Sequence, residues 1–179
     1  MVLLIYRGRQ LPTHPGQIIM SLVRFYVSES QLIIPTVAKT EAGFYTEIEP
    51  VAVMDIRDAA FVRESLLAIL SRDNPEVPTP KRQDEPGSVV LETMGLKKWQ
   101  AFERKAVLYT VHQSAESITV YATGRGADGL WMEDPRRHRS FELGTPLAEL
   151  VDYLFADMLA LPEAAPRPVL MLPPPREQS

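Results

Sequence analysis

The 179-residue chain contains no cysteine. That excludes disulfide scaffolds, thiolate-bound zinc, iron–sulfur clusters and thiol nucleophiles. Histidine is scarce too, and His14, His112 and His138 leave little for a histidine-based metal site. There is no basic surplus: 19 Lys and Arg face 23 Asp and Glu, for a formal net charge of −4. A general polyanion binder draws its affinity from excess cations, so this balance argues against a nucleic-acid partner. No apolar run approaches the roughly 18 residues of a membrane helix. The opening run Val2-Leu3-Leu4-Ile5 has no basic segment before it and meets Arg7 and Arg9 directly after, unlike a secretion signal. These absences predict a cytoplasmic protein. The G-x-S-x-G, P-loop and H-E-x-x-H signatures are missing as well.

What the chain does have is 45% hydrophobic residues, enough for one sizeable core and too few residues for two. Residues 32–37 and 44–54 are rich in β-branched and aromatic side chains around a Glu41-Ala42-Gly43 turn, which predicts a hairpin. Within the second run, Tyr45, Glu47 and Glu49 share one side, with the two glutamates spaced like solvent-facing residues. Asp55 or Asp58 can cap a following helix in which Val62, Leu66, Ile69 and Leu70 recur, and Asp73-Asn74-Pro75 ends it. Residues 74–87, with four prolines, read as a long surface loop. Residues 88–91 then read as a brief strand, and 96–104 as a short helix presenting Trp99 and Phe102. Residues 106–112 and 117–123 alternate as a hairpin, and 130–132 and 140–143 as another pair around a charged loop, 133–139. Thr145 as N-cap and Pro146 at the first helical position open a last helix with a continuous apolar stripe from Leu147 to Leu159.

The sum is a single α+β domain over residues 20–160, a largely antiparallel sheet packed against two or three helices. Residues 1–19 form an N-terminal extension or an edge strand with its loop. Residues 161–179 carry six prolines and form a disordered tail.

Candidate chemistry is thin. Gly124 to Gly129 reads GRGADG and matches the dinucleotide fingerprint, which works only where a strand leads in and a helix starts from it. Here no amphipathic helix follows and Pro135 arrives at once, so a turn between antiparallel strands is the better reading. A small nucleotide-binding or hydrolytic enzyme built on this loop is the alternative. Arg136-Arg137-His138-Arg139 could grip phosphate, but Glu133 and Asp134 neutralise part of its field. His112 reads as a half-buried structural residue. Between Lys39 and Glu64, six acidic residues stand against three basic ones, a pattern suited to steering toward a basic partner.

Residues 34–53 (IPTVAKTEAGFYTEIEPVAV), 95–111 (GLKKWQAFERKAVLYTV), and GLWMEDP with ELGTPLAELVDYLF within 129–155 together resemble small bacterial immunity proteins of contact-dependent growth inhibition systems. The resemblance spans about two-thirds of the chain and rests on packing and turn patterns. It implies a non-enzymatic, cofactor-free cytoplasmic inhibitor that binds the C-terminal domain of a cognate toxin and occludes its active site. Such toxins are often nucleases with basic clefts. On that footing Glu41, Glu47, Glu49 and Asp58 are the expected partner contacts, with Trp131 an aromatic anchor if its loop is exposed. Trp99 is expected in the core. An adaptor docking through the proline tail is a further alternative.

Overall fold

The computed structural model describes residues 5–6, 9–10, 19–80 and 88–165. In chain order the elements are β1 (Ile5–Tyr6), β2 (Arg9–Gln10), β3 (Ile19–Ser28), β4 (Gln31–Thr40), β5 (Tyr45–Asp55), α1 (Ala59–Leu70), β6 (Glu76–Val77), α2 (Ser88–Thr93), α3 (Trp99–Glu103), β7 (Ala106–Ser114), β8 (Ser117–Arg125), β9 (Trp131–Glu142) and α4 (Leu147–Leu159), followed by a 3-10 turn at Pro162–Ala164. β1 and β2 form their own ladder. The remaining strands build one sheet in the order β5-β4-β3-β7-β8-β9, with β6 attached to β4. Every pairing is antiparallel except the parallel β4–β6 contact. The fold is α+β, as the patterning predicts.

Strand alternation divides the side chains between two faces. Phe25, Val27, Ile34, Tyr109 and Val120 point to one face, where Val62 and Leu66 of α1 and Leu150, Leu154 and Met158 of α4 complete the larger core. Tyr26, Ile33 and Leu108 point to the other, where Val90, Leu91 and Phe102 from α2 and α3 close a smaller core with Trp99 and Trp131 at its margin. The sheet is thus covered on both sides.

One irregularity in the sheet follows from a single residue. β3 and β4 pair only at Tyr26–Ile33, Val27–Leu32 and Ser28–Gln31. Two residues further, the register would set Arg24 opposite Pro35, which has no N–H to donate, so the ladder stops and the strands splay. Asn74 fills the opening with its side-chain amide. Its Oδ1 accepts from the Leu22 N–H, and its Nδ2 donates to the Leu22 and Val37 carbonyls, each at 2.8 Å. β6 follows it, with the Lys39 N–H donating to the Pro75 carbonyl at 2.8 Å.

Several expectations need correction. Residues 88–91 are the start of helix α2, whose Val90 and Leu91 bury together in the smaller core. The predicted charged loop 133–139 lies within β9, a single strand of 12 residues whose register shifts opposite Tyr121 and Thr123. Thr145 makes no capping bond; Pro146 is the α4 N-cap, with no side-chain hydrogen bond. The predicted tail is docked where it begins. The Ser30 N–H donates to the Glu163 carbonyl at 2.9 Å, Glu163 pairs with Arg125 at 3.0 Å, and Ala164 is buried. Residues 166–179, and all of 1–19 except β1, β2 and Ile19, lie outside the described residues.

Candidate interaction surface

β5 is an end strand of the sheet, bonded to β4 along one side. Its ladder contains a bulge: Pro35 pairs with Val51 and Thr36 with Ile48, which leaves Glu49 and Pro50 outside the register. The Thr36 hydroxyl secures the bulge by donating to the Pro50 carbonyl at 2.9 Å. The Glu49–Pro50 peptide bond is cis. Such bulges re-aim side chains, and this one gives the two glutamates opposite fates.

Glu49 is exposed, as expected, but Glu47 is only 5% exposed. The expected solvent-facing role of Glu47 is therefore overturned. Paired with Val37, it reaches across β4 to β3, where it accepts a hydrogen bond from the Tyr26 hydroxyl and lies 3.7 Å from Arg24 Nη1. Burial pushes its carboxyl above the ordinary carboxylate range, opposed by the Arg24 charge and the Tyr26 hydrogen bond. Arg24 Nε and Nη2 and Glu47 Oε2 are buried with no hydrogen-bond partner.

Trp131 is corrected as well. It opens β9, donates its Nε1 hydrogen to the Ala106 carbonyl at 2.6 Å, and stacks on Tyr26 with ring centroids 5.7 Å apart. Its indole is committed to the smaller core beside Trp99, which is half-buried there.

The other acidic candidates are strung along β5 and its two ends. Glu41 is exposed in the turn before β5, Glu49 on its bulge, and Asp58 just beyond its end, where Asp58 caps α1 by accepting from the Phe61 N–H at 3.3 Å. Glu64 extends the row onto α1 as an exposed residue. Two of the three cations in this stretch are neutralised: Arg57 pairs with Asp55, held down at about 2 by those hydrogen bonds, and Arg63 pairs with Asp152. Among the described residues, Glu41, Glu49, Asp58 and Glu64 have no ion pair. Val53 at 38% and Phe61 at 51% add exposed apolar surface on either side of the β5–α1 turn.

Behind this edge lies a crevice of about 530 Å³ between α1 and the splayed strands, lined by Val23, Ile34, Val37, Ala52, Ala68 and Ile69 among others. Sequence reasoning missed it. The signal available was Pro35 inside an otherwise strong strand pattern.

Among the described residues, the other polar candidates lie at separate places in the fold. The GRGADG segment joins β8 to β9 as a hairpin, with Gly129 at φ +74°, so no helix N-terminus faces a phosphate there. A cavity of about 30 Å³ beside Thr110, His112, Tyr121 and Glu133 has room for little beyond water. His112 is lowered to about 4 by burial first, then by Arg24 and His138, so it is neutral near pH 7. Tyr121 lies between His112 and His138, at centroid distances of 4.8 and 4.4 Å. Arg137 is a structural fastener: its Nη2 donates to the Tyr109 hydroxyl at 2.5 Å and to Asp157 at 2.6 Å, tying β9 and β7 to α4. Among the described residues, no group of three His, Asp or Glu side chains could hold a metal ion. No helix among them is long and apolar enough to cross a membrane.

No family model matches the chain. No curated protein matches it. Among solved structures it is similar to a protein of unknown function, NMB0488 from Neisseria meningitidis, with a TM-score of 0.49 and 11% identity over 74% of this chain and 89% of that one.

Proposed function

We propose that this protein is a cytoplasmic immunity protein that binds the C-terminal domain of a cognate bacterial toxin and blocks its active site without performing chemistry itself. The observation that carries the reading is the β5–α1 border. A sheet edge is flanked there by unpaired exposed carboxylates (Glu41, Glu49, Asp58 and Glu64), with Val53 and Phe61 beside them. Such a surface complements a basic cleft of the kind that nucleases use on nucleic acid. Electrostatic complementarity of this type speeds encounter and rejects wrong partners. The exposed apolar residues supply the area that a charged rim alone cannot.

The test is co-expression with the C-terminal domain encoded by the neighbouring gene. Cells carrying both are expected to grow, and cells carrying the toxin domain alone to stop. Charge reversal at Glu41 and Glu49 combined with Asp58→Asn, which keeps the α1 cap, is expected to abolish protection while leaving the melting temperature near that of the parent. Unimpaired growth of cells expressing the toxin domain without this protein would refute the reading.

A further inference from the structure

We infer that the β5 edge receives an extended, basic segment of the partner polypeptide, which pairs with residues 51–55 and sinks one large apolar side chain into the crevice between β5 and α1. The inference rests on the toxin-binding reading and names the partner chemistry of that same surface. Among the described residues β5 pairs with β4 on one side only, and Ala52, Val53 and Asp55 are exposed along its length. A strand edge offers backbone donors and acceptors to an added strand. Side chains opposite one another in a ladder point to the same face, so the residue set against Ala52 would point toward α1. There Ala52, Ala68, Ile34, Val37 and Ile69 form aliphatic walls, with Ser65, Arg72, Asp73 and Asn74 at the polar part of the lining, and the space is about 530 Å³. Ala52 and Ala68 are what leave the space open. Glu49 at one end of the segment and Asp58 beyond the other select lysine or arginine flanking the apolar residue.

The experiment uses the full chain and the C-terminal domain encoded by the neighbouring gene. Affinity is measured by calorimetry for the parent, for Ala52→Trp and for Ala68→Trp, and amide exchange of residues 51–55 is followed with and without the domain. Parental binding with slowed exchange at 51–55, and affinity at least 30-fold weaker in either filled variant that keeps its parental melting temperature, is the expected result. Ala52→Trp sits on an exposed strand position, so it remains informative if the helix variant misfolds. Parental affinity in a folded filled variant, or unchanged exchange at 51–55 in the complex, would overturn the inference while leaving toxin binding intact. Absence of any association by the parent would overturn both. A dimer of the chain alone that protects the same amides would overturn it in favour of a second copy.

Discussion

Asn74 carries more of the fold than its place in a loop-like stretch suggests. Its amide substitutes for the peptide group that β4 would present had Pro35 not ended the ladder, satisfying two backbone groups of Leu22 and one of Val37. Removing the side chain leaves those groups unpaired, at a cost of about 2–4 kcal/mol. Asn74→Ala is expected to lower the urea midpoint accordingly. Asn74→Asp is expected to do so as well, since a carboxylate cannot donate to two carbonyls. The buried Arg24–Glu47 pair makes a second residue-scale prediction. Glu47→Leu strands a buried guanidinium and is expected to destabilise by about 3–5 kcal/mol, whereas Arg24→Leu with Glu47→Leu is expected to recover most of that. His112 makes a third. Its folded value, about 4, lies below the ordinary 6.5, so between those limits the unfolded chain binds more protons. Stability from the neutral imidazole is full above pH 6.5 and is lost as pH falls toward 4, by up to about 1.4 kcal/mol per unit. Unfolding midpoints across that window are expected to flatten in His112→Gln. Glu47 also shows the limit of strand parity. Alternation places it correctly on the side of Tyr45, yet which side faces solvent depends on Arg24 and Tyr26, two strands away.

Elements with strong periodicity were legible in the sequence, and elements defined by partners were not. The apolar stripe of α4 and the Asp58 cap of α1 follow from local spacing and local hydrogen bonding; the cap is present, and the stripe is buried from Leu150 to Met158 while Leu159 is exposed. α2 is six residues long, too short for a period to declare itself, and its β-branched Val89-Val90 favours the wrong state until the smaller core claims it. β9 reads as a loop because its charges look solvated. In the structure Arg137 is spent on Tyr109 and Asp157, and Arg139 lies over Phe141 and Tyr153. The β5 edge is hidden in the sequence for the same reason: only the strand order shows that β5, like β9, ends the sheet among the described residues. At this scale α1 separates two roles of Asp58. Asp58→Ala is expected to cost about 1 kcal/mol of stability, read from thermal unfolding, whereas Asp58→Asn preserves the cap. If Asp58 also faces the partner, Asp58→Asn is expected to weaken association several-fold with stability unchanged.

The molecule as a whole places surface charge on a rigid support. A sheet with helices on both faces holds the β5 edge in place. Glu41 and Asp58 flank its 11 residues, a span of roughly 35 Å. With Arg57 and Arg63 committed to Asp55 and Asp152, the border presents net negative charge to anything approaching it. Complementary charge at that border predicts association that weakens as salt screens it. The most direct measurement is the dissociation constant between the purified chain and the C-terminal domain encoded beside it, taken by calorimetry from low to high salt. The account predicts submicromolar binding at physiological ionic strength that loosens with salt, and at least 100-fold weaker binding when Glu41, Glu49 and Asp58 are changed to lysine. Absence of binding, or binding indifferent to both salt and those three changes, would contradict it.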